Sequence, residues 1–408
     1  METNKRKNNR RDSYRIFSEG NIAGLKTKNR LVRSATFEAA ADHDGAVTDT
    51  YIDFYRTLAR GGVGTIVTGV TSVAENGRSV HKQAGVWADR HIAGLKRAAD
   101  AMRSEAPDAV IFAQIGYAGR NISYNNDMSE PVGPSEVPHP VLKKQARALR
   151  VDEIEEIIGR FVDAIVRIRE AGFDGVQLHG AHGYLLSSFL SPYTNRRTDR
   201  FGGSLENRVR IVSDIVSGAR KRVGSDFPIL IKANADDFVP GGIDINTFPA
   251  LAREIEASGF DALEVSGGMW DCLARSEEEL GFFPVPPPES RTRIDDPAKQ
   301  SYFLPYTGSL DLKVPVILVG GNRSVERMEG ILNNNPIDFM SLSRPLISEP
   351  DLPNRWLSGD GLETTRCMSC NGCLLTISKG PVRCLAPKKL THAMARRIVP
   401  LTWKLLFK

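Results

Sequence analysis

Eight short segments of the chain are rich in apolar residues, and most of them are apolar along their whole length. Such segments are typical of parallel strands that are covered on both faces, because a strand with one face in water alternates between apolar and polar residues. We predict strands at residues 29–36, 65–70, 109–114, 175–179, 228–233, 261–266, 314–319 and 338–342. Buried parallel strands in this number must be covered on both faces.

Helical apolar spacing separates most of these segments. We predict helices at residues 48–60, 91–103, 151–171, 205–223, 246–258 and 325–333. Eight such units in about 330 residues fit an α/β fold of the closed (β/α)8 type, the TIM barrel. A doubly wound sheet is the competing architecture. We favour the barrel, because no Gly-x-Gly-x-x-Gly motif follows the first strand.

The rest of the chain divides into a tail, an insertion and an extension. Residues 1–15 are basic and lack the apolar core of a secretory signal, so we expect a disordered tail. Residues 16–360 form the barrel, and residues 267–305, rich in prolines and charges, form a lid-like insertion after strand 6. Residues 361–408 form a cysteine-rich and basic extension. We expect its apolar end to dock on the barrel or on a second subunit rather than on a membrane, which leaves a homo-oligomer open.

Charge and hydropathy exclude several classes of function. The formal net charge of the 408 residues is +5, and part of it lies at the two ends, so we expect no nucleic-acid partner. No apolar run reaches the roughly 20 residues of a transmembrane helix. Four of the five cysteines are clustered near the C-terminus, which favours a metal or redox site in a reducing compartment over secreted disulfides. We therefore expect a cytoplasmic protein.

Small or polar residues end all eight predicted strands. Barrel enzymes carry their active sites at the C-terminal ends of the strands. The candidate site residues at these ends, in chain order, are Ala35, Thr36, Gly69, Gln114, His179, His182, Lys232, Ser266, Gly320, Gly321, Asn322, Ser343 and Arg344.

The ends of strands 7 and 8 are where such barrels commonly bind phosphate. Gly320 and Gly321 allow a close approach of backbone N–H groups to an anion, although two glycines alone also fit an ordinary turn. A helix that begins near Ser324 would point its N-terminus at the same anion. Arg344 could add a bidentate contact. Together these features predict a ligand that carries a phosphate.

Two histidines, His179 and His182, follow strand 4, and Tyr184 comes two residues later. Neighbouring imidazoles serve as metal ligands, as acid–base groups, or as two hydrogen-bond donors to one acceptor. A metal site needs a third ligand, and no Asp or Glu lies at helical spacing from the pair. The residues alone leave the other two roles open.

The segment HGAHGYLLSSFLSPYTNRRTDRFGGSLENR, residues 179–208, resembles the Old Yellow Enzyme family of FMN-dependent NADH:flavin oxidoreductases and ene-reductases. The resemblance extends from about Ile16 to about Pro350. It implies an FMN cofactor, NAD(P)H as the electron donor, and a small-molecule substrate whose activated C=C bond is conjugated to a carbonyl group.

The resemblance also implies a role for each candidate residue. Ala35, Thr36 and Gly69 would line the flavin, Gln114 would bond its pyrimidine edge, and Lys232 would lie near N1 and the C2 carbonyl. The phosphate would be held by Gly320, Gly321, Asn322, Ser343 and Arg344. His179 and His182 would bind a carbonyl or nitro oxygen of the substrate, and Tyr184 would be the proton donor. Gly116 and Tyr117 depart from the family pattern, which leaves the range of substrates open.

Four cysteines, Cys367, Cys370, Cys373 and Cys384, could hold a [4Fe–4S] cluster or a zinc ion, or could bind no metal. The segment is similar to the cluster-binding stretch of long 2,4-dienoyl-CoA reductases and trimethylamine dehydrogenase, with slightly tighter spacing. It implies an alternative, an amine dehydrogenase or dienoyl-CoA-reductase-like enzyme with an external electron-transfer partner. A barrel without flavin, acting as an aldolase or isomerase on a phosphorylated metabolite, is the alternative from another class.

Overall fold

The fold is a closed barrel of eight parallel strands. The computed structural model describes residues 11–122, 130–377 and 380–386. Within these ranges the barrel strands are β1 (Leu31–Arg33), β2 (Thr65–Val67), β3 (Val110–Gly116), β4 (Gly175–Gly180), β5 (Ile229–Asn234), β6 (Leu263–Ser266), β7 (Val316–Leu318) and β8 (Phe339–Leu342). Each strand pairs in parallel with its neighbours in the chain, and β8 pairs with β1 to close the ring. The predicted (β/α)8 barrel is confirmed.

The N-terminal end of the barrel is closed by apolar side chains. An antiparallel hairpin of Gly20–Ile22 and Leu25–Thr27 places Ile22 against it. The apolar cluster that fills this end comprises Ile22, Val32, Val67, Val110, Phe112, Leu230, Ala262, Ile317 and Phe339. A Cβ atom at Gly20 would lie 2.6 Å from the Phe339 ring, so the hairpin can pack this closely only with glycine.

Helices surround the barrel. They are α1 (Asp49–Arg60), α2 (Ile92–Glu105), α3 (Val151–Glu170), α4 (Leu185–Leu190), α5 (Leu205–Val223), α6 (Phe248–Ala257), α7 (Glu277–Leu280), α8 (Val325–Asn334), α9 (Arg344–Ser348) and α10 (Leu352–Ser358). The side chains of Thr48, Ser204 and Ser324 cap the N-termini of α1, α5 and α8, as expected for hydroxyl residues at that position. The six predicted helices are present, with ends that differ by at most two residues.

Helix α4 was not predicted, and its burial explains why. All six of its residues are buried. A helix that is covered on every side has no polar face and therefore no amphipathic period. Sequence periodicity finds helices that lie between core and solvent, and α4 instead lies beneath the segment that follows it.

The last five residues of the predicted disordered tail are packed against the rest of the protein. Residues 1–10 lie outside the described residues, but residues 11–15 pack on the barrel. Arg11 is 5% exposed, and it donates to the Trp356 carbonyl at 3.0 Å and pairs with Glu363. The backbone N–H groups of Arg15 and Ile16 both donate to the Glu329 carboxylate, each at 2.9 Å. Hydrogen bonds and an ion pair to these carboxylate and carbonyl groups therefore hold residues 11–15 in place.

The insertion and the cysteine segment both cover the C-terminal end of the barrel. Tyr302 of the insertion donates its backbone N–H to the Gly320 carbonyl. The cysteine segment adds a backbone hydrogen bond from Val382 to the Glu38 carbonyl at 2.8 Å. Residues 378–379 and 387–408 of the predicted extension lie outside the described residues. Among the helices that are described, none is both long and apolar enough to cross a bilayer.

Candidate active site

Three aromatic side chains meet after strand β4. His179 lies on β4, His182 in the turn that follows, and Tyr184 at the N-terminal cap of α4. The ring centroid of His179 is 5.1 Å from that of His182 and 4.9 Å from that of Tyr184. Gly116 on the adjacent strand gives His179 its room, because a Cβ there would lie 3.3 Å from the His179 Cβ. The structure brings the three residues together as the sequence predicts.

His182 adopts a backbone conformation that is rare for a residue with a side chain. Its φ is +64°, in the left-handed region. Two side-chain amides hold it there. The His182 N–H donates to Asn234 Oδ1 at 3.0 Å, and the His182 carbonyl accepts from Asn121 Nδ2 at 2.9 Å. His139 in turn lies 3.1 Å from Asn121 Oδ1 through its Nε2. Surrounding hydrogen bonds thus maintain a strained residue in the site.

Burial keeps the two histidines uncharged at neutral pH. Burial, with a smaller contribution from the nearby Lys232 ammonium, lowers the pKa of His179 to about 3. The pKa of His182 is also strongly lowered, by burial and then by His179 and Lys232. Each neutral ring carries one N–H donor and one acceptor nitrogen. Both can therefore donate a hydrogen bond to an oxygen of a ligand.

One ring nitrogen has no partner. His179 Nδ1 is buried and meets no hydrogen-bond partner among the described residues. Leaving such an atom unpaired costs roughly 1–3 kcal/mol, so a bound molecule that supplies the partner is favoured. His182 differs, because its Nε2 lies 2.7 Å from Ser266 Oγ.

Tyr184 keeps its proton over the physiological range. Burial raises the pKa of its hydroxyl well above the usual value, and the carboxyl group of Glu289 raises it further. A phenol in this state can donate a proton to a stronger base but does not lose one to water. This is the property that a general acid needs.

A buried polar network orients Lys232 and Gln114 across the barrel interior. Lys232 Nζ donates to Ser34 Oγ at 2.8 Å and lies 3.2 Å from Glu264 Oε2. Gln177 donates to the same carboxylate and accepts from Gln114 Nε2, both at 2.8 Å. Sequence reasoning did not assign Glu264 to the site. The available signal was a charged residue inside the apolar segment 261–266.

The residues after β1 and β2 contact one another closely. Thr36 Oγ1 lies 2.8 Å from Ser343 Oγ, which joins the ends of β1 and β8. Ala35 packs against the apolar cluster inside the barrel. Gly69 admits no side chain, because a Cβ there would overlap the Glu38 carboxylate and approach the Thr36 carbonyl to 2.7 Å.

Glu38 is a buried acid that sequence reasoning did not place in the site. Tyr55 donates its hydroxyl to Glu38 Oε2 at 3.1 Å and accepts the Gly69 N–H. Burial raises the pKa of Glu38 to about 7, although the bond from Tyr55 and the charge of Arg33 oppose the increase. The carboxyl group thus lies next to Gly69, one of the predicted flavin-lining residues.

Gly320 and Gly321 form the turn after β7. Their φ values are +110° and +75°, conformations that favour glycine. Cβ atoms at the two positions would lie 2.5 Å from Phe303 and 2.7 Å from Tyr302. The turn therefore requires glycine both for its backbone and for its contact with the insertion.

The side chains of Asn322 and Arg344, which we expected to hold a phosphate, form hydrogen bonds to other parts of the protein. The Asn322 side chain is used within the protein: it donates to the Leu318 and Ser341 carbonyls and accepts from Ser301. A ligand could reach Asn322 only through its backbone. The Arg344 guanidinium donates to Asn371 Oδ1 and to several backbone carbonyls, including those of Ser290 and Arg291. It connects the insertion to the cysteine segment, so a phosphate contact would be additional to these bonds.

The four clustered cysteines are not arranged as a metal site. All are free thiols; Cys367 is buried and the other three are partly buried. Burial raises the pKa of Cys373 to about 12, and the neighbouring thiols raise it while Arg344 opposes them. Nowhere in residues 11–122, 130–377 or 380–386 do three His, Cys, Asp or Glu side chains converge well enough to hold a metal ion. The described residues therefore do not show the cluster or zinc ion that the sequence left possible.

Comparison with known proteins identifies relatives along most of the chain. An NADH oxidase of Thermoanaerobacter brockii is 38% identical over 362 residues, which are 88% of this chain and 53% of that protein. An NADPH dehydrogenase of Bacillus cytotoxicus is 36% identical over 351 residues, which are 85% of this chain and 93% of that protein. Among solved structures, a 2-naphthoyl-CoA reductase complex superposes with a TM-score of 0.81 at 26% identity, covering 94% of this chain and 57% of that one.

Two of these relatives are much longer proteins, since the chain spans only about half the length of the NADH oxidase and of the 2-naphthoyl-CoA reductase. The match to the family model is nevertheless broad. It covers residues 16–363, which include the barrel, the insertion and every predicted residue from Ala35 to Arg344. The resemblance predicted from residues 179–208 is confirmed, and the chain belongs to the NADH:flavin oxidoreductase / NADH oxidase family.

Proposed function

We propose that the protein is an FMN-dependent oxidoreductase that takes hydride from NAD(P)H and reduces the activated C=C bond of an α,β-unsaturated carbonyl compound. The observation that carries the proposal is the cluster of the buried His179 and His182 with the half-buried Tyr184, all uncharged and close to Lys232. Family membership supplies the class of cofactor and donor. Because two relatives are about twice as long, the activity and substrate are inferred for this chain from its own residues.

The residues present fit FMN. Gln114 offers amide groups and Lys232 offers an ammonium group within one buried network, in which Gln177 and Glu264 link them; the pyrimidine edge of a flavin needs such donors and positive charge. The turn at Gly320 and Gly321 leaves backbone N–H groups near strand β8, where a phosphate would lie. Bound FMN supplies the hydride transfer; the protein supplies position and electrostatics.

The protein's own groups have three tasks in this proposal. His179 and His182 donate hydrogen bonds to the substrate oxygen and draw electron density from the conjugated alkene. Tyr184 holds a proton on its hydroxyl and delivers it to the α-carbon as a general acid. Lys232 places positive charge at the inner end of the site, in a region from which water is excluded, where electrostatic stabilisation is strongest.

The two alternative functions predict different properties of the purified protein. An aldolase or isomerase would be colourless. An amine dehydrogenase or dienoyl-CoA-reductase-like enzyme would take or give electrons through a metal centre at the cysteines, and an external partner would be needed. Since the four cysteines do not form a metal site as placed, we derive no step through one.

The test is a pair of half-reactions with the purified protein. Flavin absorption near about 450 nm is expected from FMN chemistry. Anaerobic NADH or NADPH should bleach this band, and cyclohex-2-enone should restore it with formation of cyclohexanone. A colourless protein, or a flavin that the enone does not reoxidise, would contradict the proposal.

A further inference from the structure

One acidic side chain of the insertion, Glu289, faces the histidines and makes no direct contact with the substrate in the function proposed above. The segment that carries it crosses the mouth of the barrel. The segment passes close to Gly268, whose φ is +95° and where a Cβ would lie 3.1 Å from Pro288 and 3.4 Å from the Glu289 nitrogen. On its other side, Tyr302 donates its hydroxyl to the Glu289 carbonyl at 2.7 Å. The backbone of Glu289 is therefore fixed from two directions.

The next two residues fix the segment further. The Ser290 carbonyl accepts from Asn371 Nδ2 at 2.8 Å, and the Arg291 carbonyl accepts from Arg344 at 3.0 Å. The N-terminus of helix α9, which follows strand β8, and the cysteine segment thus both hold the insertion beside Glu289. The side chain is presented to the site by a braced backbone rather than by a free loop.

The carboxyl group of Glu289 faces the histidines, and one of its two oxygens has no hydrogen-bond partner among the described residues. Its Oε1 lies 3.9 Å from His182 Nδ1, too far for a hydrogen bond, and the side chain as a whole is 24% exposed. Its Oε2 is closed to solvent and has no hydrogen-bond partner among the described residues. An acceptor oxygen that is buried and unpaired next to a substrate site indicates that the bound molecule brings a donor.

The hydroxyl of Ser266 influences which ring nitrogen of His182 carries the proton. His182 Nε2 lies 2.7 Å from Ser266 Oγ. When the Ser266 hydroxyl donates to Nε2, the proton of the neutral ring is on Nδ1, the nitrogen that faces Glu289. The negative end of a nearby carboxyl group favours the same tautomer. The site then presents an N–H donor and a carboxyl acceptor side by side.

The charges around Glu289 leave the carboxyl group able to accept a hydrogen bond at neutral pH. Burial raises the pKa of Glu289 to about 7, while Lys232 and Arg344 lower it. The facing titratable groups His182 and Tyr184 are uncharged at this pH. Both the ionised and the protonated carboxyl group retain an acceptor oxygen.

We propose that His182 and Glu289 form a donor–acceptor pair that recognises a primary carboxamide. The carbonyl oxygen of the amide accepts from His182 Nδ1, and the amide nitrogen donates to the Glu289 carboxyl group. This inference rests on the proposed function, in which the same pocket receives NAD(P)H and the unsaturated substrate. The class includes the carboxamide of the reduced nicotinamide and unsaturated primary amides. Esters and methyl ketones of the same shape still accept from His182 but lack the N–H donor for Glu289, so they bind more weakly.

The first experiment compares two hydride donors with the FMN-loaded protein under anaerobic stopped flow. NADH carries the carboxamide, whereas reduced 3-acetylpyridine adenine dinucleotide carries a methyl group in place of the amide nitrogen. The measured quantity is the ratio of the dissociation constants of the two donors. This ratio is taken within each protein variant and then compared between variants, so the different chemical reactivity of the two donors does not affect the comparison. We expect NADH to bind at least about tenfold more tightly, because a site built to hydrogen-bond a group rejects the analogue that lacks it.

Three variants test whether the acceptor oxygen of Glu289 causes the difference in binding between the two donors. Glu289→Met replaces the carboxyl group with an apolar group on a side chain of similar length. The ratio of the two dissociation constants should then be close to one. Glu289→Gln keeps an acceptor oxygen and should retain most of the ratio. Glu278→Gln neutralises an exposed carboxylate of the same insertion and should leave the ratio unchanged. An unchanged ratio in Glu289→Met, with the flavin still reduced by both donors, would overturn the inference alone.

A measurement on the unaltered protein guards against a variant that does not fold. Benzamide and acetophenone differ by the same exchange of an amide nitrogen for a methyl group, and their binding is followed by the change in the oxidised flavin spectrum. Benzamide should bind at least about tenfold more tightly. Equal affinity would overturn the inference. A protein that binds no flavin would overturn the proposed function together with it.

Discussion

Lys232 Nζ lies 3.2 Å from Glu264 Oε2 inside the barrel, and neither side chain is more than 4% exposed. The carboxylate also accepts from the hydroxyls of Ser34 and Ser341 at 2.8 and 2.9 Å. The pair thus satisfies a buried negative charge and, with the same contacts, points the Lys232 ammonium at the place where we propose the flavin. Stability and cofactor binding depend on one network.

Removing one partner of this pair should be costly. Lys232→Met leaves Glu264 buried without a counter-charge, and we expect the free energy of unfolding of the apoprotein to fall by about 3–5 kcal/mol. The double variant Lys232→Met, Glu264→Gln removes both charges and should recover most of that loss. Urea denaturation of the single and double variants measures the difference. A double variant that is no more stable than Lys232→Met would show that the pair is not the source of the effect.

The hydrogen bond from Asn121 to the His182 carbonyl should matter for substrate binding. Asn121→Ala releases one of the two amides that hold His182 at its positive φ. We expect kcat/KM for the enone to fall by about tenfold to a hundredfold, because small displacements of a positioned group are costly. Flavin content should not change. Asn334→Ala, at an exposed asparagine of α8, is the control. An enone reaction unaffected by Asn121→Ala would mean that the turn holds its shape without this bond.

Tyr184→Phe separates proton delivery from hydride transfer to the cofactor. The variant retains the ring and loses the hydroxyl whose raised pKa keeps it protonated. We expect the reoxidation of reduced flavin by an enone to slow by roughly 10²–10⁴-fold, the usual contribution of a general acid. The rate at which NAD(P)H reduces the flavin should stay within a factor of two or so of the original. Equal slowing of both half-reactions would assign Tyr184 to binding instead.

His139 should make the protein less stable as the pH falls. Burial lowers its pKa from 6.5 to about 3, so the unfolded chain binds a proton between these values that the folded protein does not. The folded state therefore loses stability as the pH falls from 6.5 towards 3, by up to about 1.4 kcal/mol per pH unit. His139→Asn should have a flatter stability curve in this window. Urea unfolding at pH 7 and at pH 5 measures the loss of stability in the unaltered protein and in His139→Asn. An equal loss in both proteins would contradict the assignment.

The barrel was predictable because its strands carry a local signal. Buried parallel strands are apolar, and the helices between them have one polar face, so both are visible in a short window of sequence. The charged residue Glu264 within strand β6 was visible in the same way, as a polar interruption of an apolar run. Helix α4 left no such trace, since its burial on all sides removes the period on which prediction depends.

Much of the site was not predictable from local patterns. His182 depends on Asn121, which is 61 residues away in a long loop, and Arg344 depends on Asn371 and on carbonyls of the insertion. Glu289 lies among prolines with no strand or helix period around it. Such contacts join segments that are distant in the chain, and only the closed barrel brings them together. The resemblance of residues 179–208 supplied the expected chemistry of the histidines and Tyr184, which spacing alone had left open.

The most direct test of the central claim is the reoxidation of reduced FMN in the double variant His179→Ala, His182→Ala. Reduction by dithionite avoids any effect of the histidines on NAD(P)H binding. The account predicts that FMN remains bound, that ferricyanide reoxidises it at the original rate, and that cyclohex-2-enone reoxidises it at least about a hundredfold more slowly. A double variant that loses its flavin, or that reduces the enone as fast as the unaltered protein, would contradict the assignment of His179 and His182 to the substrate oxygen.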